Sequence, residues 1–423
     1  MKLAIFSIVA RNYLSLALTL GDSVARHHPE ASFTIFVVDG LQGLPRKDYA
    51  HRLVDVASVL GHKLQHLRFQ YNVTEYCTAV KPFLFQHLFT TADAEHVHYL
   101  DPDTLLFDRL DAIQSPEPSH AIYLAPHLLE CRLDESHAYP EFKHLWEGIF
   151  NLGYCGLRNT PESARFLAWW GQRLARYCYS DHVDGLHTDQ KWADYVPVYF
   201  GQALSICPHP GLNTAHWNLH ERKLTLEAGR YLVNDQALLL FHFSGFDFNG
   251  RLLCRHASAE DQAPFLSEAV LALADQYRQK VLANGLDEHI RIPYRFNAFD
   301  NGDPVTSIHR RLYRALDGSL GAADPFASDG PFHQALLRAG LIDHSPAVAT
   351  GYASGSLPGL GRLTWWTHVL LKTFLRVAGS RRYGFLIKLF VKYARPEQHL
   401  FLLRNDAAPK TFDARHRRPE LGR

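Results

Sequence analysis

The sequence predicts an α/β protein built on a Rossmann-like sheet, and three observations carry that expectation. Continuous apolar runs recur at Leu3 to Ala10, Phe33 to Val38 and Val97 to Leu100; segments of helical spacing separate them; and the third run empties into Asp101-Pro102-Asp103. A run that is apolar at every position is a strand buried on both faces, as parallel sheets with crossover helices produce. Such sheets bind ligands at the carboxyl ends of their strands, where two carboxylates can hold a divalent cation against phosphates. A solvated acidic turn stiffened by Pro102 is the plainer account of the same three residues.

In chain order, Lys2 followed by Leu3 to Ala10 has the form of a short signal peptide. Arg11 and Asn12 interrupt it, and Leu14, Ala17, Leu18, Gly21 and Val24 follow at helical spacing, so a first strand-loop-helix unit is expected instead. No apolar run reaches the roughly 18 residues that suggest a membrane span. The second run closes at Asp39-Gly40, and a helical region leads through Lys81 to Phe89. Neither G-x-G-x-x-G after the first strand nor G-x-x-x-x-G-K-S/T is present, which removes support from dinucleotide oxidoreductase and P-loop readings.

With 423 residues, 47% apolar and 21% charged, the chain can bury a large core and favours more than one domain. Its six cysteines form no C-x-x-C pair, so neither a zinc site nor a disulfide framework is suggested, and a reducing compartment is expected. Farther on come Phe150-Asn151-Leu152-Gly153-Tyr154, then Asp189-Gln190 in a polar helix start after Gly185. A buried strand from Leu238 to Phe243 carries His242 and is closed by Ser244-Gly245.

These motifs, in this order, resemble the metal-dependent, retaining GT-A glycosyltransferases of the glycosyltransferase-8 type, which include bacterial lipopolysaccharide galactosyl- and glucosyltransferases. The resemblance covers roughly residues 1 to 250 and rests on order and spacing. It implies a GT-A, Rossmann-like mixed sheet with a helical C-terminal extension. It further implies that Asp101 and Asp103 bind Mn²⁺ (or Mg²⁺) and the donor ribose and diphosphate, with His242 as the third metal ligand. Asn151, with Gly153, would face the donor sugar, and Asp189 and Gln190 would lie beside its anomeric carbon. Lys81 stands where the family usually has an arginine that reaches donor phosphates or sugar. Ala10, Arg11, Asn12 and Asp39 are generic nucleotide contacts, and a UDP-sugar donor follows from the resemblance alone. The chain departs from the family after the metal histidine, where a Gly-x-x-Lys-Pro-Trp segment is usual. Here the sequence is Ser244-Gly245-Phe246-Asp247-Phe248-Asn249-Gly250-Arg251, with Gly245 and Arg251 as the candidate diphosphate contacts. Asn213-Thr214-Ala215-His216-Trp217-Asn218 and Phe299-Asp300-Asn301-Gly302-Asp303 are not general features of the family.

The chemistry suits these residue types. A nucleoside diphosphate leaves readily only when its developing charge is neutralised, which a bound divalent ion does as a Lewis acid. Two carboxylates and one imidazole leave positions open for phosphate oxygens, a donor set that suits Mn²⁺. Gln190 is a poor nucleophile, which fits front-face attack, whereas Asp189 offers a covalent alternative; Asp189 as a helix cap is the structural account.

The last part of the chain is compositionally distinct. From Gly361 to Arg423 there are 14 Lys and Arg against 4 Asp and Glu, while the preceding residues carry 30 against 39. Seven basic residues and no acidic one lie between Leu363 and Pro396, interleaved with Trp365, Trp366, Phe374, Phe385, Phe390 and Tyr393. A pair of basic, aromatic, amphipathic helices lying on anionic lipid is the expectation, with packing onto the catalytic domain as the alternative. No nucleic-acid recognition fold accompanies it.

The expected organisation is thus a GT-A domain over 1–280, an extension over 281–345 on the acceptor side, and a linker with a membrane-contacting tail over 346–423. The expected activity is hexose transfer from a UDP-sugar to a surface glycan or glycolipid acceptor, with retention, at the cytoplasmic face of the inner membrane. A sugar-phosphate nucleotidyltransferase and a non-catalytic carbohydrate- or lipid-binding protein are the alternatives.

Overall fold

The computed structural model describes residues 2–45, 48–61, 66–115, 117–131, 141–250, 252–316, 323–343 and 360–403. The chain divides into two compact units, Met1–Arg295 and Phe296–Arg423.

The first unit is α/β. Among its strands are β1 (Leu3–Val9), β2 (Ser32–Val37), β3 (Arg52–Asp55), β4 (His96–Leu100), β5 (Thr104–Leu106), β6 (Ile122–Pro126), β7 (Phe150–Arg158), β8 (Leu204–Ile206), β9 (Thr214–Ala215) and β10 (Leu240–His242). Seven of them form one twisted sheet in the order β8-β6-β7-β4-β1-β2-β3. Strands β1, β2, β3 and β4 are parallel, and β7 runs antiparallel to both β4 and β6, so the sheet is mixed, as expected. The β1 strand is buried at all seven positions because helices cover both faces of the sheet.

Helix α1 (Leu14–His27) turns its apolar face to β1 and β2, with Leu14, Ala17 and Leu18 packing on Val9, Ile35 and Val37. Helices α2 (Lys81–Thr91) and α3 (Lys143–Glu147) follow, then α4 (Pro161–Tyr177), whose start is capped by Thr160 and set by Pro161. The buried strand expected over Leu238 to Phe243 is shorter, Leu240–His242. It joins a second, three-stranded sheet of order β9-β10-β5, pairing antiparallel with β5 so that His242 stands opposite Thr104.

The division between the units falls after Arg295, beyond the expected boundary at 280. Helix α5 (Glu268–Ala283) is part of the first unit, because Tyr277 stacks on Phe243 at 3.7 Å and Asn284 donates to Thr19 and Asp22 of α1. The second unit holds α6 (Ser307–Ala315) and α7 (Leu360–Tyr393), so the expected extension from Phe296 onward falls in one unit with the tail. Helix α7 breaks at Gly379, where φ is +76°, which makes it the expected pair of helices. No described helix is long and apolar enough to cross a membrane. The expected linker from 346 lies outside the described residues up to Leu360.

Candidate active site

The carboxyl ends of β1, β2 and β4 lie along one edge of the sheet, since β1 pairs in register with both neighbours and Phe6 stands opposite Tyr99. Asp101 follows β4 directly, and its N–H bonds to the Gly153 carbonyl at 2.9 Å, which ties the Asp-x-Asp turn to β7. Asp103 is held through its carbonyl, which accepts from Phe243 N–H at 2.7 Å just after β10. Those two backbone bonds bring His242 to the carboxylates. Its Nε2 lies 3.2 Å from Asp103 Oδ1 and 3.8 Å from Asp101 Oδ2.

Ligand atoms of Asp101, Asp103 and His242 all lie within 4.8 Å of one another. Burial would raise both carboxyls; at Asp103 the neighbouring His242 outweighs it and holds the pKa below its ordinary value. At Asp101 burial prevails, with the second carboxylate adding to it, and the pKa is raised. Burial opposes the charged imidazole of His242, yet the two aspartates overcome it and raise its pKa. The hydroxyl of Tyr99 donates to Asp101 Oδ1, fixing one carboxylate oxygen.

Lys81 begins α2 and is buried. Its Nζ pairs with Asp189 Oδ2 at 2.6 Å, donates to the Leu152 carbonyl at 3.0 Å and lies 4.0 Å from the centre of the Tyr99 ring. Burial works against its charge, but Asp189 and Asp101 outweigh burial and raise its pKa. Asp189 is therefore an ion-pair partner, not a helix cap: the short 3₁₀ turn after it, Lys191–Tyr195, has Gln190 at its start and no side-chain cap bond. Trp170 Nε1 donates to the Asp189 carbonyl at 3.2 Å, so α4 sets the position of this segment. Gln190 accepts from Leu152 N–H at 3.1 Å and donates to the Glu147 carbonyl at 2.8 Å.

Asn151 lies inside β7, not in a turn. Its Oδ1 accepts from Gly153 N–H at 3.0 Å and from Asn213 Nδ2 at 2.9 Å. Gly153 is required by packing, because a Cβ there would stand 2.5 Å from His242 Cε1 and 2.8 Å from Asn151 Oδ1. At the ends of β1 and β2, Asp39 is buried and receives Arg11 through the backbone N–H at 2.9 Å and through Nε at 3.1 Å. Asn12 Oδ1 is a buried acceptor without a hydrogen-bond partner among the described residues. Ala10 is buried beside them. Gly245, at φ +67°, leaves no room for a side chain, its Cβ position being 2.5 Å from His256 Cδ2. Arg251 lies outside the described residues; Arg255, whose N–H bonds to the Gly245 carbonyl at 2.9 Å, adds to His242 in lowering the pKa of Asp103.

The structure thus joins Asp101, Asp103, His242, Asn151 and Gly153 into one hydrogen-bonded group, and Lys81, Asp189 and Gln190 into a second that meets it at β7. Residues that sequence reasoning missed are Tyr99, Asn213 and His127. Asn213 had a signal: the segment 213–218 was an unassigned departure, and φ is +56° at Asn213, a conformation that asparagine tolerates better than most residues.

No protein-family profile matches the chain. Two Bacillus subtilis (strain 168) proteins are similar in sequence. The uncharacterized protein YfnD is 27% identical over 275 residues, 61% of this chain and 83% of its own, and the uncharacterized protein YfnF is 25% identical over 253 residues, 58% and 82%. Among solved structures, the chain is similar to galactosyltransferase LgtC in complex with donor and acceptor sugar analogs, at 14% identity and a TM-score of 0.40, covering 69% of this chain and 97% of that one. It is also similar to glycosyltransferase GlyE of Streptococcus pneumoniae TIGR4, at 14% identity and a TM-score of 0.38, covering 71% and 67%. A third similar structure is a glycosyltransferase involved in the glycosylation of the major capsid of PBCV-1, at 10% identity and a TM-score of 0.35, covering 66% and 99%. These solved structures are glycosyltransferases.

Proposed function

We propose that the protein is a metal-dependent glycosyltransferase that moves a hexose from a UDP-sugar to a glycan or glycolipid acceptor with retention. The observation that carries this reading is the convergence of Asp101, Asp103 and His242 at the carboxyl edge of the sheet, beside the Lys81, Asp189 and Gln190 group. When bound, a divalent ion such as Mn²⁺ or Mg²⁺ would neutralise the charge that develops on the leaving diphosphate. Asp101, Asp103 and His242 would hold it, and their mixed oxygen and nitrogen donors fit such an ion. Arg11, Asn12 and Asp39 would receive the nucleoside at the ends of β1 and β2.

Within the chain, Lys81 neutralises Asp189 at 2.6 Å, which lowers its worth as a nucleophile. That supports front-face attack over a covalent intermediate. Gln190, locked at both ends of its amide, supplies a fixed neutral dipole beside the reaction centre. We further infer that the basic, aromatic α7 rests on anionic lipid at the cytoplasmic face of a membrane. The exposure of Trp365, Trp366, Leu370, Phe385 and Phe390, and six free cysteines as in a reducing compartment, support that placement.

The test is release of UDP from UDP-sugars with and without Mn²⁺, followed by proton NMR of the first glycoside formed. Metal-dependent UDP release and a product with the donor's anomeric configuration are expected. Pyrophosphate formation when UTP and a sugar 1-phosphate are supplied would instead identify a nucleotidyltransferase, and tight binding without turnover a non-catalytic binder.

A further inference from the structure

The metal reading leaves open which nitrogen of His242 is free to ligate, and a chain of four side chains answers it. The backbone N–H of Gly153 is a donor without ambiguity, and it bonds to one terminal atom of the Asn151 amide at 3.0 Å. That atom is therefore oxygen. The Asn213 atom 2.9 Å from the same oxygen must then be nitrogen. The other end of the Asn213 amide is oxygen, and it lies 3.1 Å from His242 Nδ1, so Nδ1 must carry a proton. In the opposite direction, Asn151 Nδ2 donates to His127 Nε2 at 3.2 Å, which leaves the proton of neutral His127 on its buried Nδ1.

Asn213 is itself fixed. Its φ of +56° is stabilised by Asn218, whose Nδ2 donates to the Asn213 carbonyl and to the His127 carbonyl, each at 3.2 Å, while its Oδ1 receives Ala215 N–H at 2.8 Å. The whole assembly is buried, from Asn151 and Asn213 to Asn218 and His127. Buried amides so engaged do not rotate freely, since a flip would set like atoms against each other at two contacts.

We propose that Asn213, oriented by Asn151 and Gly153, is the positioning residue of the metal centre: it accepts the His242 Nδ1 proton and thereby aims an unprotonated Nε2 at the ion held by Asp101 and Asp103. This rests on the metal-site reading above and deepens it. Asn151 acts here through its hydrogen bonds, its oxygen being already shared by two donors. The same proton bookkeeping argues against a second ion at His127, His144 and Glu147, the other described group with ligand spacing, because His127 Nδ1 is the protonated nitrogen.

The test compares the full chain with Asn213→Gly and His242→Ala, titrating Mn²⁺ by the loss of its free EPR signal and following thermal unfolding without metal. Glycine keeps the positive φ and removes the acceptor. His242→Ala should lose binding, and Asn213→Gly should weaken it about 10- to 100-fold. If His242→Ala binds Mn²⁺ like wild type, the metal centre itself is overturned. If His242→Ala fails to bind while Asn213→Gly binds normally, only the positioning role falls. Should the glycine variant not fold, histidine-selective ¹⁵N NMR of the Mg²⁺-loaded wild type decides. His242, identified by its absence in His242→Ala, must show a protonated Nδ1, and a protonated Nε2 overturns the proposal.

Discussion

Single atoms decide the geometry of the site, and Gly153 shows how. Its missing Cβ lets the His242 ring pack against β7, and an added methyl group would stand 2.5 Å from Cε1 and 2.6 Å from Nδ1. Gly153→Ala should therefore fold, since β7 keeps its ladder, yet displace the imidazole and reduce metal-dependent turnover about 100-fold or more, a 1 Å displacement being costly at a metal site. UDP release at saturating donor measures this, and a variant with wild-type turnover would sink the packing argument. Buried histidines other than His242 should add to the pH dependence of stability. His98, between Tyr154 and Gly156, is pushed down to about 3 by burial, and so is His127. Because each of these imidazoles binds a proton near pH 6.5 in the unfolded chain and only near pH 3 in the folded one, its contribution to stability should rise from about pH 3 to 6.5 and level off above. Two such groups give a slope of up to about 2.7 kcal/mol per pH unit. Urea unfolding between pH 5 and 7 tests it: His98→Gln should remove about one proton from the slope, and an unchanged slope would refute the assignment.

Elements place these atoms. Trp170 on α4 stacks on Phe166 at 5.1 Å and holds the Asp189 carbonyl, so one fully buried side chain joins helix packing to the Asp189-Gln190 segment. Trp170→Ala should cost about 3–5 kcal/mol in urea unfolding. It should also lower turnover more than Lys191→Gln, which changes a partly exposed ion pair with Asp194; a loss under about 1 kcal/mol would show that the segment is held elsewhere. The strands Leu3–Val9, Ser32–Val37 and His96–Leu100 were legible in sequence because burial on both faces leaves an unbroken apolar run. The antiparallel course of β7 was not, since a strand buried on both faces reads the same in either direction. The pairing of β10 with β5, which delivers His242, depends on a partner more than 130 residues away and leaves no local trace. Asp101, Asp103, Asn151 and His242 were selected by motif order, whereas Asn213 and His127 were not, because hydrogen-bond direction emerges only when four segments meet.

At the scale of the whole molecule, the second unit carries the proposed membrane contact. Its final 3₁₀ turn, Pro396–Leu403, is anchored on α6 by buried Glu397, which pairs with Arg311 and with Arg314 at 3.1 Å. Removing the chain after about residue 361 would strand these arginines, and truncation would then confuse loss of membrane contact with damage to the unit. Charge substitution on α7 is the cleaner experiment, because Lys372, Arg376, Arg381, Arg382, Lys388 and Lys392 lie on a helix whose apolar residues are largely exposed. Each basic residue near an anionic surface contributes about 1 kcal/mol, screened over about 8 Å at physiological salt. The full chain should co-sediment with vesicles containing phosphatidylserine, less with neutral vesicles, and progressively less as salt rises. Replacing Arg381, Arg382, Lys388 and Lys392 together by Gln should weaken sedimentation at least tenfold while leaving thermal unfolding and UDP release unchanged. Sedimentation that survives both the substitution and high salt would assign the attraction to Trp365, Trp366 and their apolar neighbours alone. A wild-type chain that ignores anionic vesicles would instead make α7 a surface for protein contact.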